Sequence, residues 1–457
     1  MEELWGRHVA LSELSEHARR QLKKEMIKSE QAVFLRGNHV HCRRCGSVTT
    51  AKVAHLPLSA DAKPRYFCPA CLIMGRMCTQ TALFHLPSPV KSSPAPATSA
   101  PASVLSWQGR LTAAQMRVSR QLCENTVKPH LVWAVTGAGK TEMLFPLIDE
   151  VLSKGGRVAF VSPRVDVCRE IAPRLKDAFE KVPQLLLHGG SEEKYRFTPL
   201  IVCTTHQLLR FKDAFELVIV DEVDAFPFAG DEMLAFGVKK AVKSAGRIVY
   251  LSATPSKEML QQTKSGELAL SLLPARFHRK PLPQPQFIWL NKWEAAIEKA
   301  KLPQRLQKRI KKLVENGPLL IFCPEIRHLE AVAHWIKRKL PDYKSAWVYS
   351  GDAKRKEKVA ALRRGELEIL ITTTILERGV TFSGVSVLVL GANHRVFNTA
   401  SLLQILGRVG RKVENLAGEV IFVHDGQTRA MTEVKGQVRY LNQKAGEEGL
   451  LDELSDV

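Results

Sequence analysis

The sequence contains no apolar run approaching the ~20 residues that a membrane-spanning helix requires. Its first residues, MEELWGRHVA, lack the apolar core of a secretion signal. These two absences give the expectation of a cytoplasmic protein without an anchor of its own. Acidic residues are in short supply. Only 46 Asp and Glu stand against 67 Lys and Arg, a formal charge of +21 at pH 7. Such a balance favours polyanionic partners, nucleic acid first and an anionic membrane face second. Cysteine is sparse over most of the chain. Four of the nine, Cys123, Cys168, Cys203 and Cys323, are scattered, most of them in or near apolar stretches, and read as buried thiols. The other five fall between positions 42 and 78. In a cytosolic chain that clustering argues for a metal and against disulfides.

At ~100–200 residues per domain, a chain of 457 residues implies about three domains. Residues 1–37 are charged and are expected to be helical. Residues 38–86 hold the cysteine cluster. Residues 87–106 include PSPVKSSPAPATSAPAS, too poor in apolar groups to fold, and read as an extended linker. From Trp107 short apolar runs alternate with helix-like segments: HLVWAV, RVAFVS, PLIVCTT, LVIVDE and RIVYLSAT. A second series follows: QFIWL, PLLIFCP, SAWVYSG, EILITTT, VSVLVLG and GEVIFVH. Near-continuous apolar runs of this kind are the mark of buried parallel strands joined by crossover helices. The expected fold is α/β: two tandem doubly wound parallel-sheet domains, 107–275 and 276–430, behind a small metal module. Residues 431–457 form a tail with no assignable role.

AVTGAGKTE, residues 134–142, follows a predicted strand (130–135) and opens a predicted helix (141–152). That is the setting of a phosphate-binding loop. Gly137 and Gly139 let backbone N–H groups converge on a phosphate. The loop positions Thr136, Ala138 and Glu142 flank the contact. Lys140 suits the β- and γ-phosphates of ATP, and Thr141 suits Mg²⁺. LVIVDEVDAF, residues 217–226, ends a buried run on three carboxylates within four positions. Such crowding needs a cation or a reaction to justify it. Asp221 is the expected magnesium contact, and Glu222 the group that activates the attacking water. Asp224 is expected to link to the facing domain or to LSATP, residues 251–255. Strands often end in Asp or Glu for no chemical reason, so DEVD gains force from the loop that precedes it. QILGRVGR, residues 404–411, places Arg408 and Arg411 on one helix face. They are candidate arginine fingers, groups worth ~10³–10⁵ in rate. A plain basic helix face is the alternative reading.

CRRC at 42–45 and CPAC at 68–71 give two knuckles separated by 22 residues. Cys42, Cys45, Cys68 and Cys71 are the ligands expected of a tetrahedral zinc ribbon. Four thiolates leave no open position, so the zinc is structural. Cys78 reads as a bystander, and His41 and His85 as surface residues. The basic neighbours Arg43, Arg44, Lys63 and Arg65 suggest that the ribbon helps hold DNA or a partner.

The order Gln115, AVTGAGKTE, SPRVDVCRE, VCTTHQLL, DEVD, LSATP, LLIFCP, ITTTILERGV, QILGRVGR resembles the motif series of superfamily-two helicases over roughly residues 107–425. With the cysteine module ahead of the motor and DEVDAFPF at the acidic motif, the chain resembles the late-competence ComFA family. The resemblance implies RecA-like domains and an ATP-dependent motor that pulls transforming single-stranded DNA into the cytoplasm. It implies that Gln115 reads adenine. Pro163, Arg164, Thr204 and Thr205 would line the DNA path in the first domain, and Thr372 and Thr373 in the second. Ser252 and Thr254 would couple hydrolysis to movement, and Gly379 would allow close backbone approach to the nucleotide. It also implies work at the inner membrane face beside a DNA channel and a ComFC-type partner, with homo-oligomers possible. ERGVTF departs from many DEAD-box relatives, having Thr381 in place of Asp. The alternative is a PriA-like replication-restart helicase, whose zinc module instead lies within the second motor half. An RNA remodeller and a non-hydrolysing tether are the other readings. The tether has no use for Lys140, Asp221, Glu222 and the two arginines.

Overall fold

The computed structural model describes residues 2–24, 27, 29–56, 64–89, 102–125, 127–299, 301–377, 382, 384–410 and 418–452. The chain divides into two compact units, one of residues 1–132 and 141–271, the other of residues 133–140 and 272–457.

The N-terminal region is built mainly of short strands: β1 (His8–Ala10), β2 (Ser29–Gln31), β3 (Val33–Arg36), β4 (His39–Cys42), β5 (Val48–Thr50), β6 (His55–Leu56), β7 (Arg65–Tyr66) and β8 (Ala82–His85). Among the described residues, the helical expectation for residues 1–37 is met by one α-helix, Glu16–Lys24. The reason is topological. Strand β8 runs antiparallel to both β1 and β2, pairing His85 with His8 and Phe84 with Ser29. Residues from both ends of the region therefore share one sheet, and no local pattern announces such a distant partner. Strands β3, β4 and β5 form an antiparallel meander beside it.

This region is fastened to the domain that follows. Glu13 accepts from Arg44 at 3.3 Å and from Arg210 at 2.6 Å. Lys240 Nζ donates to the carbonyls of Arg44 (2.6 Å) and Leu209 (2.7 Å). Tyr195 donates its hydroxyl to the Trp5 carbonyl at 2.8 Å. Leu209 and Leu234 share a core cluster with the cysteines. Gly46 has φ of +74°, and the Phe236 ring lies where its Cβ would be. A side chain there is excluded twice over, by backbone conformation and by packing.

The first motor sheet comprises β9 (His130–Ala134), β10 (Val158–Ser162), β11 (Gln184–Leu187), β12 (Leu200–Thr204), β13 (Phe215–Val220), β14 (Val242–Ser252) and β15 (Ala269–Leu273). Their order is β11-β12-β10-β13-β14-β9-β15. Strands β10 and β12 are buried throughout, which is why they read as unbroken apolar runs. Two strands lie outside the sequence reading, β11 and β15. Both are rich in leucine rather than β-branched residues, and both sit at sheet edges.

The second sheet comprises β16 (Gln286–Trp289), β17 (Leu319–Phe322), β18 (Ser345–Val348), β19 (Ile369–Thr372), β20 (Ser386–Leu390) and β21 (Val420–His424), in the order β16-β21-β20-β17-β19-β18. Its strands pair in parallel, and the inner four are wholly buried. The supposed tail includes a helix, Arg429–Glu447, capped by Thr428 on the Met431 N–H. Met431, Val434, Val438, Leu441 and Ala445 recur on one face and are buried, so this segment belongs to the second unit's core. Among the described residues no helix is long and apolar enough to cross a membrane.

Candidate nucleotide and metal sites

Strand β9 runs into the phosphate-loop sequence. Gly137 and Gly139 have φ of +83° and +70°, which side-chain-bearing residues rarely adopt. Within the second unit, the Phe277 N–H donates to the Gly137 carbonyl at 3.0 Å. A Cβ at Gly407 would lie 2.1 Å from Thr136 Oγ1, so that close approach also demands glycine. The helix expected at 141–152 begins as a tight turn, Glu142–Leu144, and becomes α-helical over Phe145–Ser153, with Pro146 in its first turn.

The acidic segment lies in the first unit. The Asp221 N–H donates to the Val161 carbonyl at 2.7 Å, and Asp221 Oδ1 accepts from the Glu222 N–H at 2.8 Å. Glu222 has φ of +54°. A non-glycine residue there is strained, and such strain gathers at functional positions. Asp224 Oδ1 accepts from Ser252 at 2.8 Å and Oδ2 from Thr254 at 2.6 Å. Of its two expected links, the one to LSATP is therefore formed. Two hydroxyl donors also relieve the crowding of three carboxylates.

Gln115 is buried at the third position of the helix Ala113–Glu124. Its Oε1 accepts from the Thr112 N–H at 2.9 Å while the Thr112 hydroxyl accepts from the Gln115 N–H at 3.3 Å. This reciprocal cap fixes the amide near the helix start. Pro163 and Arg164 follow β10, and Thr204 ends β12; Ser162 pairs with Thr204 across the ladder. Thr205 and Thr372 are fully enclosed, and Thr372 donates to the Thr373 carbonyl at 3.1 Å. Thr204 is itself 6% exposed, and Thr373 is half-buried. Arg408 is buried, with Nε donating to the Glu377 carbonyl at 3.1 Å, and the Glu377 carboxylate accepts from Ser401 at 2.5 Å. Gly379, Thr381 and Arg411 lie outside the described residues.

Sequence reasoning missed Arg276 and His278. Arg276 donates to the carbonyls of Val409 (2.7 Å) and Gly410 (2.9 Å), and His278 Nε2 lies 2.7 Å from the latter. They hold the backbone that carries the arginine motif. Their only sequence signal is a short basic run after β15. Cys168 behaves as expected of a buried thiol: burial pushes its pKa up to about 12, and it donates to the Cys203 carbonyl at 3.2 Å.

The four cysteines of the knuckles are buried, and their sulfurs all lie within 4.8 Å of one another. Cys42 and Cys71 are 3.8 Å apart, Cys45 and Cys68 3.5 Å. Four soft donors converging at this spacing fit tetrahedral zinc. Cys78 stands outside the group and contacts Thr81 at 3.2 Å, and His41 stacks on Phe34. His85 contacts the Arg7 carbonyl through Nδ1 at 2.9 Å. Arg44 corrects an expectation. It is 0% exposed, ion-paired to Glu13 and bonded to the Gly75 carbonyl, so it serves the module's interior and offers nothing to a partner. A second grouping, Glu294, Glu298 and His328, is bridged by Arg327, which pairs with both glutamates.

Two RecA-like parallel-sheet domains, a phosphate loop, a DEVD segment and a four-thiol module define a helicase-type ATPase of the DEAD/DEAH class. Family models agree domain by domain: Competence protein ComFA N-terminal domain over residues 1–85, DEAD/DEAH box helicase over 112–263, and Helicase conserved C-terminal domain over 301–413. The chain is 39% identical to the competence protein ComFA of Bacillus subtilis, covering 97% of this chain and 95% of that one. It is 41% identical to the ComFA of Streptococcus pneumoniae, covering 96% and 98%. The chain belongs to the ComFA family of competence proteins, whose role is DNA uptake. In fold it is similar to S. cerevisiae Dbp5 bound to RNA and ADP BeF3, at a TM-score of 0.54 and 16% identity over 75% of this chain and 92% of that one.

Proposed function

We propose that this protein is an ATP-driven translocase that draws single-stranded DNA into the cytoplasm during competence. The observation that carries this reading is Asp224. It joins the acidic segment to Ser252 and Thr254, so a change at the hydrolytic carboxylates is transmitted to a neighbouring strand end. Gln115 reads adenine, and residues 136–142 hold the phosphates, with Lys140 on the β- and γ-groups. Thr141 and Asp221 hold Mg²⁺, which supplies charge neutralisation at the transferred phosphoryl. Glu222 orients and deprotonates the water. Arg408 and Arg411 serve the γ-phosphate, Arg408 needing to exchange its Glu377 contact to do so. Gly379 is the position that the family resemblance assigns to close backbone approach to the nucleotide.

DNA is gripped through phosphate and sugar by Pro163, Arg164 and Thr204 with nearby backbone N–H groups, and by Thr373 in the second domain. Binding is therefore sequence-tolerant and weakens with salt. Zinc on the four cysteines is structural. The site of action is the inner membrane face, beside a DNA channel and a ComFC-type partner. The test is ATP hydrolysis alone and with single-stranded DNA, duplex DNA or RNA, with Glu222→Gln as control. Strong stimulation by single-stranded DNA, lost in the variant, supports the reading. Absence of hydrolysis with every polymer sinks it.

A further inference from the structure

The first unit carries a cleft of about 620 Å³ beside the ends of β10 and β12. This size falls within the ~300–1,000 Å³ of preformed ligand sites. One wall is motor: Pro163, Thr204, His206 and Gln207. The register that pairs Ser162 with Thr204 puts these residues at the carboxyl edge of a parallel sheet, where open sheets bind their ligands. The other wall comes from the N-terminal region: Arg7 and Glu13, with Ile73 and Met74 of the cysteine module. None of the motor motifs requires this second wall.

Ile73 is the unusual residue. It is 92% exposed, beside an exposed Leu72, on the short helical turn Pro69–Met74 that carries Cys71. Together with Leu72, it presents a bare aliphatic tip on a metal-binding knuckle at the mouth of the cleft. Aliphatic side chains are used in this way against the faces of nucleobases. The inner wall holds its carboxylate neutralised, so that it does not repel a polyanion. Its carboxylate, Glu13, pairs with both Arg44 and Arg210, and Arg7 lies against the Tyr195 ring at 4.8 Å. Glu193 stands at the exposed rim. The gap is also fixed. Arg210 donates to Glu13 at 2.6 Å, to Gln207 at 2.9 Å and to the Met74 carbonyl at 3.4 Å, so one guanidinium ties the two walls together.

We propose that the cysteine module and the first motor domain form a clamp on single-stranded DNA, with a base against Ile73 and the strand running past His206 and Gln207. This rests on the reading that the motor works on single-stranded DNA. The clamp makes the module part of the DNA path and gives the motor a hold that persists while its domains change grip.

The test uses the full chain and a fluorescent oligo-dT. Ile73→Asp is expected to weaken binding about tenfold, and Ile73→Ala by less. Val53→Asp, also on an exposed part of the module but not in the cleft, is the charge control and should bind as the parent does. Zinc content shows that each variant keeps its module. Parent-like binding by zinc-loaded Ile73→Asp overturns the clamp and leaves Ile73 to a protein partner. Equal weakening by Val53→Asp also overturns it, since the effect is then one of charge alone. Failure of the parent protein itself to bind oligo-dT overturns the single-stranded reading, and the clamp with it.

Discussion

Thr254 donates its hydroxyl to Asp224 Oδ2 across 2.6 Å, and Ser252 donates to Oδ1 across 2.8 Å. Both hydroxyls are buried. Removing the shared acceptor leaves two donors enclosed without it, at a cost of about 1–3 kcal/mol. Asp224→Ala is therefore expected to lower thermal stability modestly. Its larger effect is on coupling. The ratio of DNA-stimulated to unstimulated hydrolysis should fall toward one while nucleotide binding persists. Steady-state ATPase assays with and without oligo-dT check this, and an unchanged ratio refutes the coupling role.

Glu222 follows Asp221 in a backbone conformation that aims its side chain differently from an ordinary strand end. Its Gln variant keeps size and hydrogen-bonding capacity but cannot take a proton. Hydrolysis should fall by ~10²–10⁴, with affinity for a fluorescent ATP analogue within a few-fold of the parent. Single-turnover kinetics separate the two quantities. Equal loss of binding and turnover would make Glu222 a structural residue.

Much of this was legible in the sequence because parallel strands buried on both faces leave unbroken apolar runs. Every motor run quoted above became a strand. The phosphate loop and the knuckles were legible for a different reason: their chemistry fixes spacing within a few residues. What escaped depends on distant partners. Strands β1 and β2 exist because β8 pairs with them some fifty to eighty residues later in the chain. Arg44 looked available because it sits in CRRC, yet Glu13, thirty-one positions away, draws it inside. Arg276 and His278 act on backbone carbonyls, which carry no residue signature.

The cysteine module is predicted to hold about one zinc per chain. Chelation, or Cys45→Ser, should remove the metal and unfold the module, since binding of this kind supplies roughly 10 kcal/mol or more. The damage should spread. Lys240 and Arg210 anchor the module to the first motor domain, and Leu209 and Leu234 pack among the cysteines. Metal loss is expected to lower the melting temperature of the first motor domain by several degrees. Metal analysis with calorimetry tests this; a zinc-free protein melting like the parent rejects it.

His130 opens β9 and is buried in a saturated network. Asn125 Nδ2 donates to its Nδ1 at 3.0 Å, and its Nε2 lies 2.8 Å from Ser271, which donates in turn to Gln121 at 2.6 Å. The amide is held in that orientation, because Asn125 Oδ1 accepts from the Lys128 N–H and Nδ2 donates to the Lys128 carbonyl. A proton on Nδ1 would face an amide donor. Burial also opposes charge and pulls the pKa from 6.5 down to about 4. The unfolded chain therefore binds a proton first as pH falls. Stability from this residue is intact above pH 6.5, declines from there to pH 4, and is level below. The full loss is about 3 kcal/mol. His130→Asn should be less stable than the parent near neutrality, and the gap should narrow on acidification through that window. Urea unfolding of both proteins across the window measures the gap, and a constant difference would show that His130 does not titrate there.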